Sequence, residues 1–205
     1  MTIKARTLSI IAGISYLVIF FAAIFANFFV LESIQKDPLA TILNNHMMVR
    51  FGILAFLITV VFDVVVAWAL YELYKENILS GLSTLFRMMH AAIMGVAVFA
   101  LPIALKTTTS KEILGQMDIF NTTWLIGLFF FGIHLILLGR ILNKPKFITV
   151  SLFLAGIMYM VDTSAHFLLQ NYDDYSSIFL ALVAIPSIFG EMALSIWLLV
   201  KGGKA

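Results

Sequence analysis

The sequence predicts an all-α, polytopic membrane protein: six transmembrane helices in a bundle, with both termini cytoplasmic. Three observations predict it. Hydrophobic residues make up 62% of the 205-residue chain and charged residues 12%, against roughly 25% charged in a soluble domain. The apolar residues gather into six runs, each reaching the ~20 residues that cross ~30 Å of hydrocarbon. The links between the runs are short and hold most of the charges.

The expected spans are about 8–30, 47–71, 82–105, 119–142, 147–169 and 178–200, in a single transmembrane domain over 1–205. Lys4 and Arg6 precede the first run as they would in a signal peptide. Leu8–Val30 is too long for a signal h-region, so it reads as a retained first span, interrupted only by Gly13 and Asn27. Asp37-Pro38 marks a turn in the link to the second span. The second span holds Arg50 near its start and Asp63 near its middle. The third carries Arg87 and His90 near its start and Pro102 near its end. The fourth holds Asn121, His134 and Arg140, and Asn143–Lys146 is a tight turn. The fifth holds Asp162 and His166. The sixth holds Pro186 and, near its middle, Glu191.

Loop charge sets the orientation. Lys4, Arg6, Lys75, Arg87, Arg140, Lys144, Lys146, Lys201 and Lys204 fall at one set of ends, and Lys36, Arg50, Lys106 and Lys111 at the other. Nine against four puts both termini inside and the chain in the cell inner (plasma) membrane as a multi-pass protein. Tyr71, Tyr74, Trp124, Tyr172 and Tyr175 read as interfacial belts. A net charge of +2 gives no nucleic-acid footprint. With no cysteine there is no disulfide, thiolate metal site, cysteine nucleophile or palmitoylation.

The ionisable residues inside the spans are the informative ones. An acidic residue at a helix centre costs about 2.5–3.5 kcal/mol on insertion scales, so Glu191 must be protonated, paired, wetted or bound. At a rise of about 1.5 Å per residue, Asp63, His134 and Glu191 are expected in one layer, with Arg87 and His90 approaching from the cytoplasmic side. His46, Arg50, Asn121, Asp162 and His166 form an outer set. Asp162 and His166, four apart, share a helix face. Plainer readings stand beside these. Arg50 and Arg87 can snorkel to headgroups, His46 can sit at the interface, and His90 and His166 can be satisfied interior histidines. Asp63–Arg87 or Glu191–His134 can be structural pairs.

Three chemistries suit the set. The first is a ligand-binding or proton-exchanging site on Asp63, His134, Glu191, Arg87 and Asp162, holding the polar head of a small hydrophobic or amphipathic ligand between helices. Ten Met and nineteen Phe supply adaptable apolar walls, and helices broken at Pro102 and Pro186 would offer free backbone groups. The second is a zinc site on His134, Asp162, His166 and Glu191, which would make an intramembrane metal-dependent hydrolase. No HExxH occurs, and no other cofactor is called for; a bis-histidine haem on His46 and His166 is the remoter variant. The third is a structural or accessory subunit whose polar residues pin helices together. Glycines such as Gly132, Gly156 and Gly190 read as close-packing positions, and Gly190 could also admit a partner to Glu191.

The chain resembles a bacterial family of small six-span membrane proteins known as a domain of unknown function. The resemblance rests on Phe131-Gly-x-His134 with Leu138-Gly139, on Tyr159-x-x-Asp162, and on Pro186…Gly190-Glu191…Trp197-Leu-Leu-Val-Lys-Gly202. Arg50-x-Gly52, Asp63 eight residues before Tyr71, and Phe86-Arg87 also fit. It implies a membrane location and no established activity. It does not require His90 or His166, which favours His134, Asp162 and Glu191. The expected function rests instead on the three ionisable side chains Asp63, His134 and Glu191 at similar depth, and is non-enzymatic: binding or transporting a small or lipid-like ligand at an intramembrane polar site. The bilayer is the expected partner, with self-association allowed and nucleic acid excluded.

Overall fold

The computed structural model describes residues 3–142 and 145–203. Six helices are long and apolar enough to cross a membrane: Ala5–Lys36, His46–Tyr74, Ser80–Ala104, Ser110–Ile141, Lys146–Leu168 and Tyr172–Val200. Their outward faces are apolar. Phe21, Phe28, Leu85, Val96 and Leu180 are each more than half exposed. In water such a surface would be a continuous sticky patch, whereas in lipid it is the expected contact.

The first span begins as α1 (Ala5–Ile24), widens into a π-helical segment (Phe25–Leu31) and continues as α2 (Glu32–Lys36). It therefore does not stop at Val30. The widening falls at Asn27, whose side-chain amide donates to the Ala23 carbonyl at 2.9 Å. A side chain competing for a helix carbonyl bends the local ladder, and π-turns recur at functional sites. Asp37 ends α2 and caps α3 (Pro38–Asn44), accepting from the Ala40 N–H at 3.2 Å, with Pro38 in the first turn as the Asp-Pro signal requires.

α4 (His46–Tyr74) is continuous. The third span divides into α5 (Ser80–Val98) and α6 (Ala100–Ala104). The expected break at Pro102 occurs here, because proline has no N–H for the carbonyl four residues back, that of Val98. α7 (Ser110–Ile141) starts nine residues before the expected 119. Thr109 explains the extension: its Oγ1 accepts from the Glu112 N–H and donates to the Glu112 carboxylate, a side-chain N-cap at capping-box spacing that starts the helix in its polar overhang. α8 (Lys146–Leu168) follows Pro145. Asn143 and Lys144 of the expected turn lie outside the described residues, as does Lys204. A 3-10 turn (Tyr172–Tyr175) leads into α9 (Ser176–Val200), which runs unbroken through Pro186. The expected half-helix there does not form; the helix absorbs the proline.

The long helices pack in a ring. Each contacts its chain neighbour, α1 on α4, α4 on α5, α5 on α7, α7 on α8 and α8 on α9, and α9 returns to α1. α7 and α8 cross at backbone contact distance. A Cβ on Gly132 would lie 2.6 Å from the Gly156 carbonyl, and one on Gly156 2.5 Å from the Gly132 carbonyl. Only glycine fits either position.

The two ends of the ring differ. At the end holding the termini, the core joins α1, α4, α7, α8 and α9 through residues such as Leu8, Leu70, Leu138, Leu152 and Leu198. The α1–α9 seam is tied there. The Arg6 guanidinium donates to the carbonyls of Leu198 and Gly202 at 3.0 Å each, and to that of Leu199. The Ser195 hydroxyl donates to the Gly13 carbonyl at 2.9 Å. At the other end, the core is built on α1 with its π segment and on α2 to α7, through Val30, Ile34, Phe56, Leu101 and Phe120, and no buried residue of α8 or α9 joins it. The first half of α9 leans on α8, leaving Ile178, Leu180, Leu182 and Ile185 exposed.

Candidate functional site

On α5, Ser83, Arg87, His90 and Met94 recur at spacings of four, three and four, so they form one stripe. All four are buried and face the ring interior. Arg87 is 1% exposed. Its Nη2 donates to Asp63 Oδ1 of α4 at 2.5 Å, and its Nη1 donates to the Tyr16 hydroxyl of α1 at 2.9 Å. Nη1 also reaches His134 Nε2 of α7 at 3.2 Å. The guanidinium carbon lies 4.9 Å from the Tyr16 ring centroid and 5.3 Å from that of Phe131, both within cation–π range. The snorkelling reading of Arg87 is thereby overturned: three helices supply closer partners than the headgroups could.

These contacts fix the histidines. A guanidinium only donates, so His134 Nε2 accepts and its proton sits on Nδ1. That proton points to the Ser83 carbonyl at 3.0 Å, with the Ser83 hydroxyl 2.9 Å away. Both ring nitrogens of His134 are thus engaged. His90 directs Nδ1 at the Gly127 carbonyl at 3.0 Å and Nε2 at Asp63 Oδ2 at 3.7 Å.

Beside this network lies a cavity of about 200 Å³. Every long helix lends it a residue: Tyr16 and Phe20 from α1, Asp63 from α4, Arg87 and His90 from α5, Trp124 and Phe131 from α7, Tyr159 from α8, and Ser187 and Glu191 from α9. Glu191 shares an α9 face with Ser187 and Leu194. Among the described residues it makes no hydrogen bond and no ion pair, while Asp63 has Arg87 and His90. Its flank of the cavity is formed by the half-exposed apolar residues Ile188 and Met192 of α9, facing Ile19 and Phe20 of α1. Here α1 and α9 have left the tied end of their seam, and Ile188 is about half exposed at 49%.

The structure thus brings Asp63, Arg87 and Glu191 to one cavity. His134 stands behind Arg87 rather than in the lining, so the Glu191–His134 pair is not made. Asp162 lies elsewhere. Its Oδ1 accepts from the Tyr172 hydroxyl at 2.7 Å, and the His166 ring meets the Tyr172 ring edge-on at 4.7 Å. Asp162 and His166 do share a face, but around Tyr172 at the α8–α9 turn. Among the described residues no three His, Asp or Glu side chains converge on a metal position. The set His134, Asp162, His166 and Glu191 is divided between two places. His46 and Arg50 are exposed at the start of α4, and His46 takes no part in the Tyr172 group. Gly190 faces Leu152 and Ser151 of α8 rather than the cavity. Trp124 is not a belt residue: its ring packs 5.1 Å from Phe56 and 5.2 Å from Phe120.

Sequence reasoning missed Tyr16, Tyr159 and Trp124 as lining residues; His90, expected to approach the Asp63 layer or to be a satisfied interior histidine, is both. The signal for His90 was its spacing of three from Arg87. For Tyr16 it was a hydroxyl in mid-span, away from either interface.

A ring of six membrane-crossing helices around a polar cavity defines a multi-pass helical membrane protein. The chain belongs to the family described as Domain of unknown function (DUF4386), whose model matches residues 11–202. It is also similar to an uncharacterized protein of the archaeon Archaeoglobus fulgidus, 30% identical over 161 residues, covering 75% of this chain and 85% of that one. No solved structure matches it.

Proposed function

We propose that this protein binds, and in the membrane carries or presents, a small or lipid-like amphipathic ligand in the six-helix cavity. The observation supporting this is the asymmetry of the cavity. One wall is an ion pair made within the protein, Arg87 with Asp63; the other offers Glu191 with no partner among the described residues. A carboxylate kept in an apolar surrounding without a partner is costly, and intramembrane ionisable groups mark ligand sites by default. The apolar flank toward α1 and α9 would take the ligand's tail. Asp63 and Arg87 hold the helices that shape the site, and His134 keeps Arg87 in place. Asp162 belongs to the α8–α9 turn in this reading. The cell inner membrane with both termini cytoplasmic is part of the proposal, on the charge bias of the ends.

A cavity-filling variant tests it. Ser187→Leu places a larger side chain into the cavity. In the binding reading, small amphipaths raise the melting temperature of the purified wild type in maltoside micelles, and the variant folds but loses that response. If the wild type gives no response and the variant is simply more stable, the cavity is a packing void. The protein is then a structural or accessory subunit.

A further inference from the structure

The chemistry of the cavity narrows the ligand class, and this step rests on the binding reading above. The charges facing the space are Asp63 and Glu191 on one side of the ledger and Arg87 on the other. Arg87 is matched by Asp63. Its Nη1 is occupied by Tyr16 and His134, and its guanidinium is packed between the Tyr16 and Phe131 rings. His134 accepts from Arg87 and carries no free lone pair toward the cavity. His90 gives one nitrogen to Gly127 and turns the other to Asp63. Arg87 Nε is buried without a hydrogen-bond partner, but its charge is matched by Asp63; the charge left unmatched is that of Glu191.

The rest of the lining is aromatic and apolar. Tyr16, Phe20, Trp124, Phe131 and Tyr159 all border the space. Aromatic faces attract cations, most strongly where water is excluded. An anionic head would meet two carboxylates and a guanidinium whose two Nη groups are engaged, with only its buried Nε unpartnered. For a metal ion, no three His, Asp or Glu side chains among the described residues converge on one position. A neutral head could give Glu191 a hydrogen bond but no counter-charge.

We propose that the cavity takes an amphipathic organic cation, an ammonium-type head set between Glu191 and the aromatic lining with its alkyl tail along Ile19, Phe20, Ile188 and Met192. The Arg87–Asp63 pair then acts as the fixed wall, and Glu191 is the counter-ion that gives charge selectivity.

The test compares probes of one size and three charges on the purified full chain in maltoside micelles. Hexyltrimethylammonium, hexanol and hexanesulfonate are titrated while Trp124 and the other tryptophans report by fluorescence, with calorimetry as a check. The expected result is that the ammonium binds about tenfold or more tightly than either other probe. Glu191→Gln should remove that preference, bringing ammonium binding down to the level of the neutral probe. Equal or tighter binding of hexanesulfonate or hexanol overturns the cation assignment but keeps the cavity as a ligand site. Silence from all three probes overturns both. The wild-type series decides the matter even if the Glu191 variant fails to fold.

Discussion

On the α4–α5 side of the cavity, Asp63 and Arg87 hold each other, and Tyr16 and His134 add partners at the guanidinium's Nη1. On the α9 side, Glu191 borders the same space and has no partner among the described residues. Both carboxylates sit near the middle of a membrane-crossing helix. The difference lies in what surrounds them. α4 is wedged between α1 and α5, so its mid-span residue meets a facing helix. α9 is tied to α1 only toward the termini, by Arg6, Gly13 and Ser195. At Glu191 and beyond, the seam gives way to the cavity. The comparison separates two settings of a charge in a membrane-crossing helix: one joins helices, and the other, in the proposed binding role, is the group a ligand would meet.

Substitutions that break the joined side should have the largest effects. Arg87→Met leaves Asp63 buried without its cation, and breaking a buried pair from one side costs about 3–5 kcal/mol. Thermal denaturation in maltoside should show a fall of about 10 °C. Gly132→Val tests whether pinning by backbone contact matters as much. Its Cβ would meet the Gly156 carbonyl at 2.6 Å, and overpacking of this kind costs about 1–3 kcal/mol. A normal melting temperature for this variant would show that α7 and α8 are not held as close as described. Arg6→Gln unties the closed end of the α1–α9 seam. Losing charge-assisted bonds to carbonyls in a half-exposed position should cost about 1–2 kcal/mol. Single cysteines on α1 and α9 near residue 13, introduced into this cysteine-free chain, should become easier to label. Glu191→Gln should have the smallest effect on stability, within about 0.5 kcal/mol, and the largest on charge-selective binding.

The fold was legible because hydrocarbon demands it. Twenty apolar residues between polar links have few other uses, and the Asp37-Pro38 and Pro102 breaks carried local signals. The shift of the α7 start to Ser110 was also written in the sequence, in the Thr109/Glu112 spacing, but hydropathy alone does not see a helix continuing into water. The candidate site was legible only as a set of depths. Depth groups Asp63, His134 and Glu191; rotation about each helix decides which of them meet. It turns His134 toward Ser83 and Arg87, and leaves Glu191 in the cavity. Arg87 looked like a snorkelling residue because its distance from the span end was read without its stripe. The stripe Ser83, Arg87, His90 and Met94 was present in the spacing, and it points inward. Asp162 and His166 shared a face as their spacing required, yet Tyr172 from the next turn occupies that face, a contact no helical period reveals.

The melting temperatures of Asp63→Asn and Glu191→Gln, measured side by side on purified protein in the same micelles, bear most directly on the division between the two walls. Asp63→Asn should lower the midpoint by several degrees, because Arg87 loses its buried counter-charge, while Glu191→Gln should leave it unchanged or raise it. Equal losses in the two variants would contradict this, and would make Glu191 a structural group like Asp63.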